Sequence, residues 1–483
     1  MSSLRPVLRL LAALLFAPAV VSHAHDDGPV QPPWQAATTW PDRIVATLKD
    51  DPATSFAVTW RTDESVTETI AEIAIATPAA RFDIGAKTVS ARTEPLDLTE
   101  ARLAGIDYEI PWNSGLPKVH YHSVEFRGLE PDQVYVYRVR GAPGAWSEWF
   151  QLRTAARSGP IRFAYFGDAH NGLRSHLPRV LRAAFAHSPD ADFFLHAGDL
   201  VNRASRDYEW GEWFDAGDFI HSMVPTVPVA GNHEYAALGF GETRSDRTLS
   251  VLWRPQFTLP QSPALPADLQ EAAYVLHYSD DLDIFVLSTQ HSDIARQAQW
   301  LDDELEASTA RWRIVAMHHP IFSSGGDRDS PERRALLLPV FLEHDVDLVL
   351  QGHDHTYARG AIGQTPERLA LADASGAAVD TMFVNSVSGA KMYRFKAEGW
   401  DDYADEGVVL QRKAENTQFF QVIEIDGDTL RYEALTALGE RYDAFEMTKD
   451  SDGGKRMGAG PRSTMDERRF DNTEPYGDAG ELK

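Results

Sequence analysis

Ile161-Arg162-Phe163-Ala164-Tyr165-Phe166-Gly167-Asp168-Ala169-His170 is an apolar run of strand length that stops at a glycine and delivers an acid and a histidine. A short run rich in aromatic and branched residues reads as a buried strand. The arrangement recurs downstream. Strand candidates at 192–197, 226–230, 312–317 and 346–350 run out into Gly198-Asp199-Leu200-Val201-Asn202, Gly231-Asn232-His233-Glu234, His318-His319-Pro320 and Gly352-His353-Asp354-His355. Further strand candidates at 283–288 and 382–387, with helix-like stretches from His176 to Ala186 and Ala295 to Glu306, complete an alternation that predicts an α/β layer fold. Ligands of open α/β sheets gather beyond the carboxyl ends of strands, so motifs at five strand exits can meet at one point. Glycine ahead of an active residue lets the backbone turn tightly off the strand.

The texture differs upstream of Ser158-Gly159-Pro160. From Arg43 to about Thr154, short segments such as Ser55-Phe56-Ala57-Val58-Thr59-Trp60 and Tyr135-Val136-Tyr137-Arg138-Val139-Arg140 alternate apolar and polar residues between turns such as Glu130-Pro131-Asp132. This predicts an N-terminal all-β sandwich over 42–156, followed by a C-terminal α/β domain over 160–447. Residues 25–41 are rich in Pro, Asp and His and read as a flexible lead-in; 448–483 lack apolar periodicity and read as a disordered tail. Ala236 to Ala273 has little periodicity and many prolines and glycines, so a long loop covering the site is expected there. At the N-terminus, Arg5 and Arg9 precede the apolar run Leu10 to Val21 and Ser22-His23-Ala24, the pattern of a cleaved export leader over 1–24. The run is shorter than the ~20 residues that span a bilayer. The protein is therefore expected to be exported, periplasmic or secreted, without a stable membrane anchor. Its oligomeric state is not legible.

Charge and cysteine content exclude several classes. With 46 basic and 72 acidic residues the formal charge is −26, which repels nucleic-acid backbones and argues against nucleic acid as a structural partner. Hydrophobic content of 43% is ample for packed cores. There is no cysteine, so an exported chain has no disulfides, and any metal site must use His, Asp, Glu or Asn.

Each motif taken singly has a plain structural explanation. Asp after Gly commonly caps a turn, Asn232 could cap a helix, and His318 could be a satisfied core histidine. Five such coincidences at strand exits, in order, point instead to one polar centre. No Ser/His/Asp or Cys triad is visible. His291 is placed near the rim, and Arg203, Arg206, Arg244 and Arg247 lie in loops that could reach a phosphate, with a solvated charge as the default for each.

On these motifs the chain resembles the calcineurin-like metallophosphoesterases. The order Val58-Thr59-Trp60-Arg61-Thr62, Gly128-Leu129-Glu130-Pro131, Ser147-Glu148 and Arg153-Thr154 resembles the fibronectin type III-like domain that precedes the catalytic domain of purple acid phosphatases. The resemblance covers about residues 42 to 440. It implies an αββα sandwich with two metal ions at its edge, one held by Asp168, His170, Asp199 and His355, the other by Asp199, Asn232, His318 and His353. Asp199 would bridge both. Two carboxylates with neutral imidazoles leave a positive centre for a phosphate dianion. Ions ~3.5–4 Å apart can share one hydroxide and aim it in line at phosphorus. The family's His-x-Pro spacing favours His318 over His319, and neighbours on one strand face opposite ways. His233 is implied to contact substrate and assist departure of the leaving oxygen.

The function so implied is hydrolysis of small-molecule phosphate esters, as a phosphomonoesterase. The alternatives are a phosphodiesterase acting on nucleotides or lipid head groups, and a catalytically dead binding protein, against which the full ligand set argues. The chain departs from the purple enzymes at one position. They carry a tyrosine three residues after the bridging acid, whereas here Asn202 stands there and His170 follows the first acid by two. Loss of a hard phenolate favours a divalent pair such as Mn, Zn or ferrous iron, in a colourless enzyme active near neutral to alkaline pH.

Overall fold

The computed structural model describes residues 35–96, 116–237, 247–371, 374–458 and 465–472. The leader at 1–24, most of the lead-in and Arg244 lie outside them. The N-terminal strands are β1 (Asp42–Thr47), β2 (Ser55–Asp63), β3 (Ile70–Ile75), β4 (Lys87–Ser90), β5 (Arg92–Pro95), β6 (Val119–Arg127), β7 (Val134–Val139) and β8 (Phe150–Arg153). One sheet runs β1-β2-β6-β5 and the other β4-β3-β7-β8. Between them Phe56, Phe126, Tyr137 and Phe150 pack ring against ring, and Trp60 stacks beside His122. The alternation read from the sequence thus places every second side chain in a sandwich core.

Beyond it run β9 (Ile161–Phe166), β10 (Phe193–His196), β11 (Thr226–Pro228), β12 (Tyr235–Ala237), β13 (Arg247–Leu249), β14 (Tyr274–Ser279), β15 (Leu282–Leu287), β16 (Trp312–Met317), β17 (Leu348–Gln351), β18 (Tyr357–Ile362), β19 (Thr381–Asn385), β20 (Val408–Ala414), β21 (Phe419–Asp426), β22 (Thr429–Thr436), β23 (Arg441–Lys449) and β24 (Lys455–Met457). Strands β9, β10 and β11 are parallel neighbours, as are β15, β16, β17 and β19. Their middle residues are apolar on both faces because both faces are covered. In β15 and β16, Ile284, Val286, Ile314 and Ala316 face the sheet of β9, while Phe285, Leu287, Val315 and Met317 face Trp300, Leu301, Leu337 and Phe341 of helices Ile294–Ala307 and Pro331–Glu343. Helix Leu177–His187 lays Val180, Leu181 and Ala184 on the other sheet. Helix, sheet, sheet, helix is the expected αββα order.

The two regions are not separate sheets. Strand β1 pairs in parallel with β11 through Thr47 and Thr226, so one eleven-stranded sheet runs β24-β23-β22-β21-β9-β10-β11-β1-β2-β6-β5. The pairing closes an edge that would otherwise be open to other chains.

Three expectations need correction. The segment from 236 to 273 is not a structureless cover. It contains the hairpin β12–β13 and buried Trp253, Phe257 and Leu259, and Thr258 is bonded to Thr47 and Thr59 of the N-terminal region. Its apolar residues are spaced singly as anchors, which leaves no period to read. Nor are the described residues from 448 onward without structure. Strand β24 extends the large sheet, Lys449 and Lys455 converge on buried Asp347, and Phe470 packs with Val387 and Met392. The lead-in likewise ends ordered, with the Gln35 carbonyl accepting a hydrogen bond from Arg61.

Candidate metal centre

Five strand exits bring their polar residues to one end of the two facing sheets. Strands β9, β10 and β11 supply Asp168, His170, Asp199 and Asn232; β16 and β17 supply His318, His353 and His355. The exits are sharply bent. Asp168, Asp199, His353 and His355 have φ of 30°, 53°, 77° and 50°, a left-handed region that non-glycine residues adopt at a cost. Only Gly198, at 89°, serves the turn itself. Gly231 and Gly352 matter for a different reason: a Cβ there would lie 2.3 Å from Asp199 Oδ1 and 2.5 Å from Asp168 Oδ2. These glycines admit the acids rather than turn the chain.

Asp168, His170, Asp199 and His355 form one buried group, and Asp199, His318 and His353 a second, each with its donor atoms within 4.8 Å of one another. In the first, His170 Nε2 stands 3.1 Å from His355 Nε2 and 3.5 Å from Asp199 Oδ2, and His355 Nε2 lies 3.4 Å from Asp168 Oδ1. In the second, His318 Nε2 lies 3.2 Å from Asp199 Oδ2, and Asn232 Oδ1 lies 3.2 Å from His318 Nε2 and 3.0 Å from His353 Nδ1. Asp199 belongs to both.

The far side of each ring decides what these contacts are. His318 Nδ1 donates to the Ala197 carbonyl at 2.9 Å and His355 Nδ1 donates to the Lys391 carbonyl at 2.8 Å. Each neutral ring then turns a lone pair inward, towards carboxylate oxygens that also offer only lone pairs. Asp168 Oδ1 is buried without a hydrogen-bond partner. Acceptors facing acceptors call for a cation between them. The electrostatics carry the same demand. Burial alone would lower His318, but Asp199 and Asp168 outweigh it and hold its pKa up to about 9. Burial drives His170, His353 and His355 well below their usual value, each with a neighbouring positive charge adding to it. Burial pushes Asp168 up to about 7, His318 opposing and Asp199 adding, whereas the surrounding imidazoles overcome burial and keep Asp199 well below its ordinary value.

His233 is set differently. Its Nδ1 donates to the main-chain carbonyl of Asn202 at 2.5 Å, its backbone N–H donates to Asp199 Oδ1, and its side chain is 24% exposed while those of His170 and His318 are sealed. Nε2 is therefore the nitrogen presented to the opening. Asn202, at the position of the purple enzymes' tyrosine, takes part only through that carbonyl. His319 meets Thr289 Oγ1 at 2.9 Å through Nδ1 and packs its ring on that of His353, and it belongs to neither donor group. His291 pairs with Asp268 instead of facing the centre, and Arg206 lies beside Glu209. Arg247 donates to the Asn232 carbonyl at 2.9 Å.

Sequence reasoning missed three contributors. Glu234 accepts from the N–H groups of Asp199, Leu200, Val201 and Gly231, tying two of the strand exits together. Asp354 holds Ser323, Ser324 and Arg328. A sixth strand exit, after β19, carries Ser388-Gly389-Ala390-Lys391: Gly389 N donates to the Asp168 carbonyl, and its bare Cα is approached by the carbonyls of residues 168, 169 and 170. Glycine after an apolar run was the available signal, but without an acid or histidine it was passed over.

Residues 161–357 match the calcineurin-like phosphoesterase family, and residues 41–154 match the purple acid phosphatase N-terminal domain. Residues 161–357 thus form a calcineurin-like metallophosphoesterase domain. Human acid phosphatase type 7 is 28% identical over 267 residues, 50% of this chain and 57% of that protein. Purple acid phosphatase 21 of Arabidopsis thaliana is 27% identical over 261 residues, 51% of this chain and 54% of that one. The chain thus spans little more than half the length of these curated relatives. A purple acid phosphatase from yellow lupin (Lupinus luteus) seeds has the same fold, with a TM-score of 0.67 at 17% identity, covering 86% of this chain and 75% of that one. These likenesses bear out the expected family and the pairing of a β-rich region with an α/β metallophosphoesterase domain. Among the described residues no helix is long and apolar enough to cross a membrane.

Proposed function

We propose that this metallophosphoesterase hydrolyses phosphate monoesters with two divalent ions that share Asp199. The observation that carries the reading is the overlap of two donor groups at that one buried carboxylate. Asp168, His170, Asp199 and His355 would hold one ion, and Asp199, Asn232, His318 and His353 the other. The facing lone pairs and the partnerless Asp168 Oδ1 fit such ions. When bound, the pair supplies Lewis acidity, which acidifies water and neutralises phosphate charge. With only Asn, Asp and His as donors, Mn, Zn or ferrous iron suit the site.

The chain's own residues do the rest. Glu234 and the bent exits fix the donor positions before substrate arrives, so little reorganisation is left to the reaction. With Nδ1 committed to Asn202, His233 can hold a proton at Nε2 and pass it to the departing oxygen. Burial, against the pull of Asp199, lowers its pKa, which makes it a readier donor than an ordinary imidazolium. Hydrolysis forms one bond from water oxygen to phosphorus and breaks the ester P–O bond, giving an alcohol and inorganic phosphate. A panel of mono- and diesters, run on protein of measured metal content, tests the reading. Faster turnover of monoesters is expected; faster turnover of diesters would replace it by a phosphodiesterase.

A further inference from the structure

The strand exit after β19 differs from the other five in reaching the centre through its main chain. Ser388 N donates to the Gly167 carbonyl at 2.7 Å, Gly389 N to the Asp168 carbonyl at 2.8 Å and Ala390 N to the Asn171 carbonyl at 3.3 Å. Further along, the Lys391 carbonyl accepts from His355 Nδ1 at 2.8 Å, and Tyr393 N donates to the His355 carbonyl at 3.2 Å. The segment laces together the exits that carry Asp168, His170 and His355, which belong to one donor group. Among the described residues, none of its backbone hydrogen bonds reaches Asn232, His318 or His353. Its first half is tied to β21 through Ser388 Oγ on the Phe419 carbonyl and Gln418 Nε2 on the Ser388 carbonyl. The half that carries Lys391 leans on a piece of chain from much later in the sequence. Val387 and Met392 are buried with Phe470 in a small cluster apart from the two large cores, and Arg394 lies 4.8 Å over the Phe470 ring. Glu415, just after β20, clips the two pieces together. One of its oxygens accepts from Phe395 N at 2.6 Å and the other from Phe470 N at 3.0 Å, while its own N–H donates to the Arg468 carbonyl at 2.9 Å.

A neutral imidazole presents Nε2 to an ion while Nδ1–H keeps its acceptor, and that acceptor fixes the tautomer and the tilt of the ring. A carbonyl on a braced segment holds the ring firmly; one on a loose segment does not. We infer that Phe470 is a positioning residue for one of the two ions. By burying Met392 it fixes the Lys391 carbonyl that orients His355. The C-terminal segment 465–472 thereby governs the ion of Asp168, His170, Asp199 and His355, and leaves the ion of Asn232, His318 and His353 alone. The inference rests on the two-ion reading above. Emptying the space that Phe470 fills lets the carbonyl move and the ring with it, so the loss falls on one ion although no donor has been removed.

The test follows the stepwise loss of Mn to a chelator from the full chain as wild type, Phe470→Ala, Phe470→Met and Glu415→Gln. Phe56→Ala, which opens a space in the buried core of the β-sandwich, controls for lost packing. Wild type is expected to hold two ions. Phe470→Ala should bind one of them ~10-fold more weakly, the effect usual for a group behind a ligand, and the other as wild type does. Added to His353→Ala, which keeps the ion beside His355, it should weaken that ion by the same factor. Phe470→Met should restore most of the difference. Glu415→Gln, which loosens the clip without opening a cavity, should shift the same ion in the same direction. In metal-free Phe470→Ala, amide hydrogen exchange should quicken over 388–395 and stay unchanged over 199–202. Equal weakening of both ions in Phe470→Ala, a matching one-ion loss in Phe56→Ala, or no shift in Glu415→Gln would overturn the inference. A wild type holding fewer than two ions would defeat the two-ion reading itself, a result distinct from these.

Discussion

Asp199 and Asp207 stand eight positions apart and are both buried, yet their surroundings are opposites. Asp207 opens helix Asp207–Gly217 and is gripped by two guanidiniums from the N-terminal region, Arg43 Nη1 at 2.6 Å and Arg61 Nη1 at 2.9 Å, with Asp42 holding Arg61 in turn. Burial would raise its pKa, but the two arginines win and keep it low. Every charge there meets its complement. At Asp199 the neighbours are imidazoles whose inward nitrogens are acceptors, and no resident side chain balances the set except by protonating His318. Buried acids alone therefore mark nothing. A cluster that is balanced joins parts of the fold, and one whose acceptors face one another is suited to a cation.

The sharpest way to break this contrast is at its centre. Asp199→Asn should lower activity by more than ~10⁴-fold and weaken both ion sites, since this carboxylate alone serves two groups. His353→Ala should empty mainly one. Full retention of two ions in both variants would show the assignment to be wrong. His233→Ala should keep both ions and lose ~10²–10⁴ in rate, less on nitrophenyl than on alkyl esters because a good leaving group needs no proton. An equal loss on both would make His233 a positioning residue.

At the other cluster, Arg61→Met should cost about 3–5 kcal/mol of stability, the usual penalty for stripping a partner from a buried pair, while the folded variant keeps its metal. Loss of an ion from folded Arg61→Met would mean the two clusters are not independent.

A smaller effect separates the histidines outside the centre. His122 is held by Thr62 and Thr93 hydroxyls and His221 stacks on Trp213. Burial pushes both pKa values down to about 4, with His120 adding at His122. The unfolded chain, near 6.5, binds protons that the fold refuses. Stability should fall as pH drops from 6.5 towards 4, by up to ~1.4 kcal/mol per unit for each ring. Denaturant midpoints at pH 7.5 and 5 check the sign; a protein more stable at pH 5 would contradict it.

The sequence was most legible where strands are covered on both faces. The apolar runs ending at Phe166, His196, Met317 and Gln351 each announce a parallel strand, and the turn that follows each brings a donor residue to the centre within three positions. It was least legible where strands are antiparallel and half-exposed. Strands β20 to β23, with mixed patterns such as Thr429–Thr436, went unread, although they complete both sheets. Lys391 was hidden because its contribution runs through a main-chain carbonyl, which any residue could offer. Glu234 sat in plain view within its motif, but its four backbone partners come together only once β10 and β11 are paired.

The central claim is that two donor groups sharing Asp199 hold two ions, neither of them a tyrosinate-bound ferric ion. Metal content per chain, measured together with the visible spectrum of the pure, active protein, tests it most directly. The proposal predicts two divalent ions per chain and no band in the tyrosinate–iron region. One ion per chain at full activity, or an intense visible band, would contradict it.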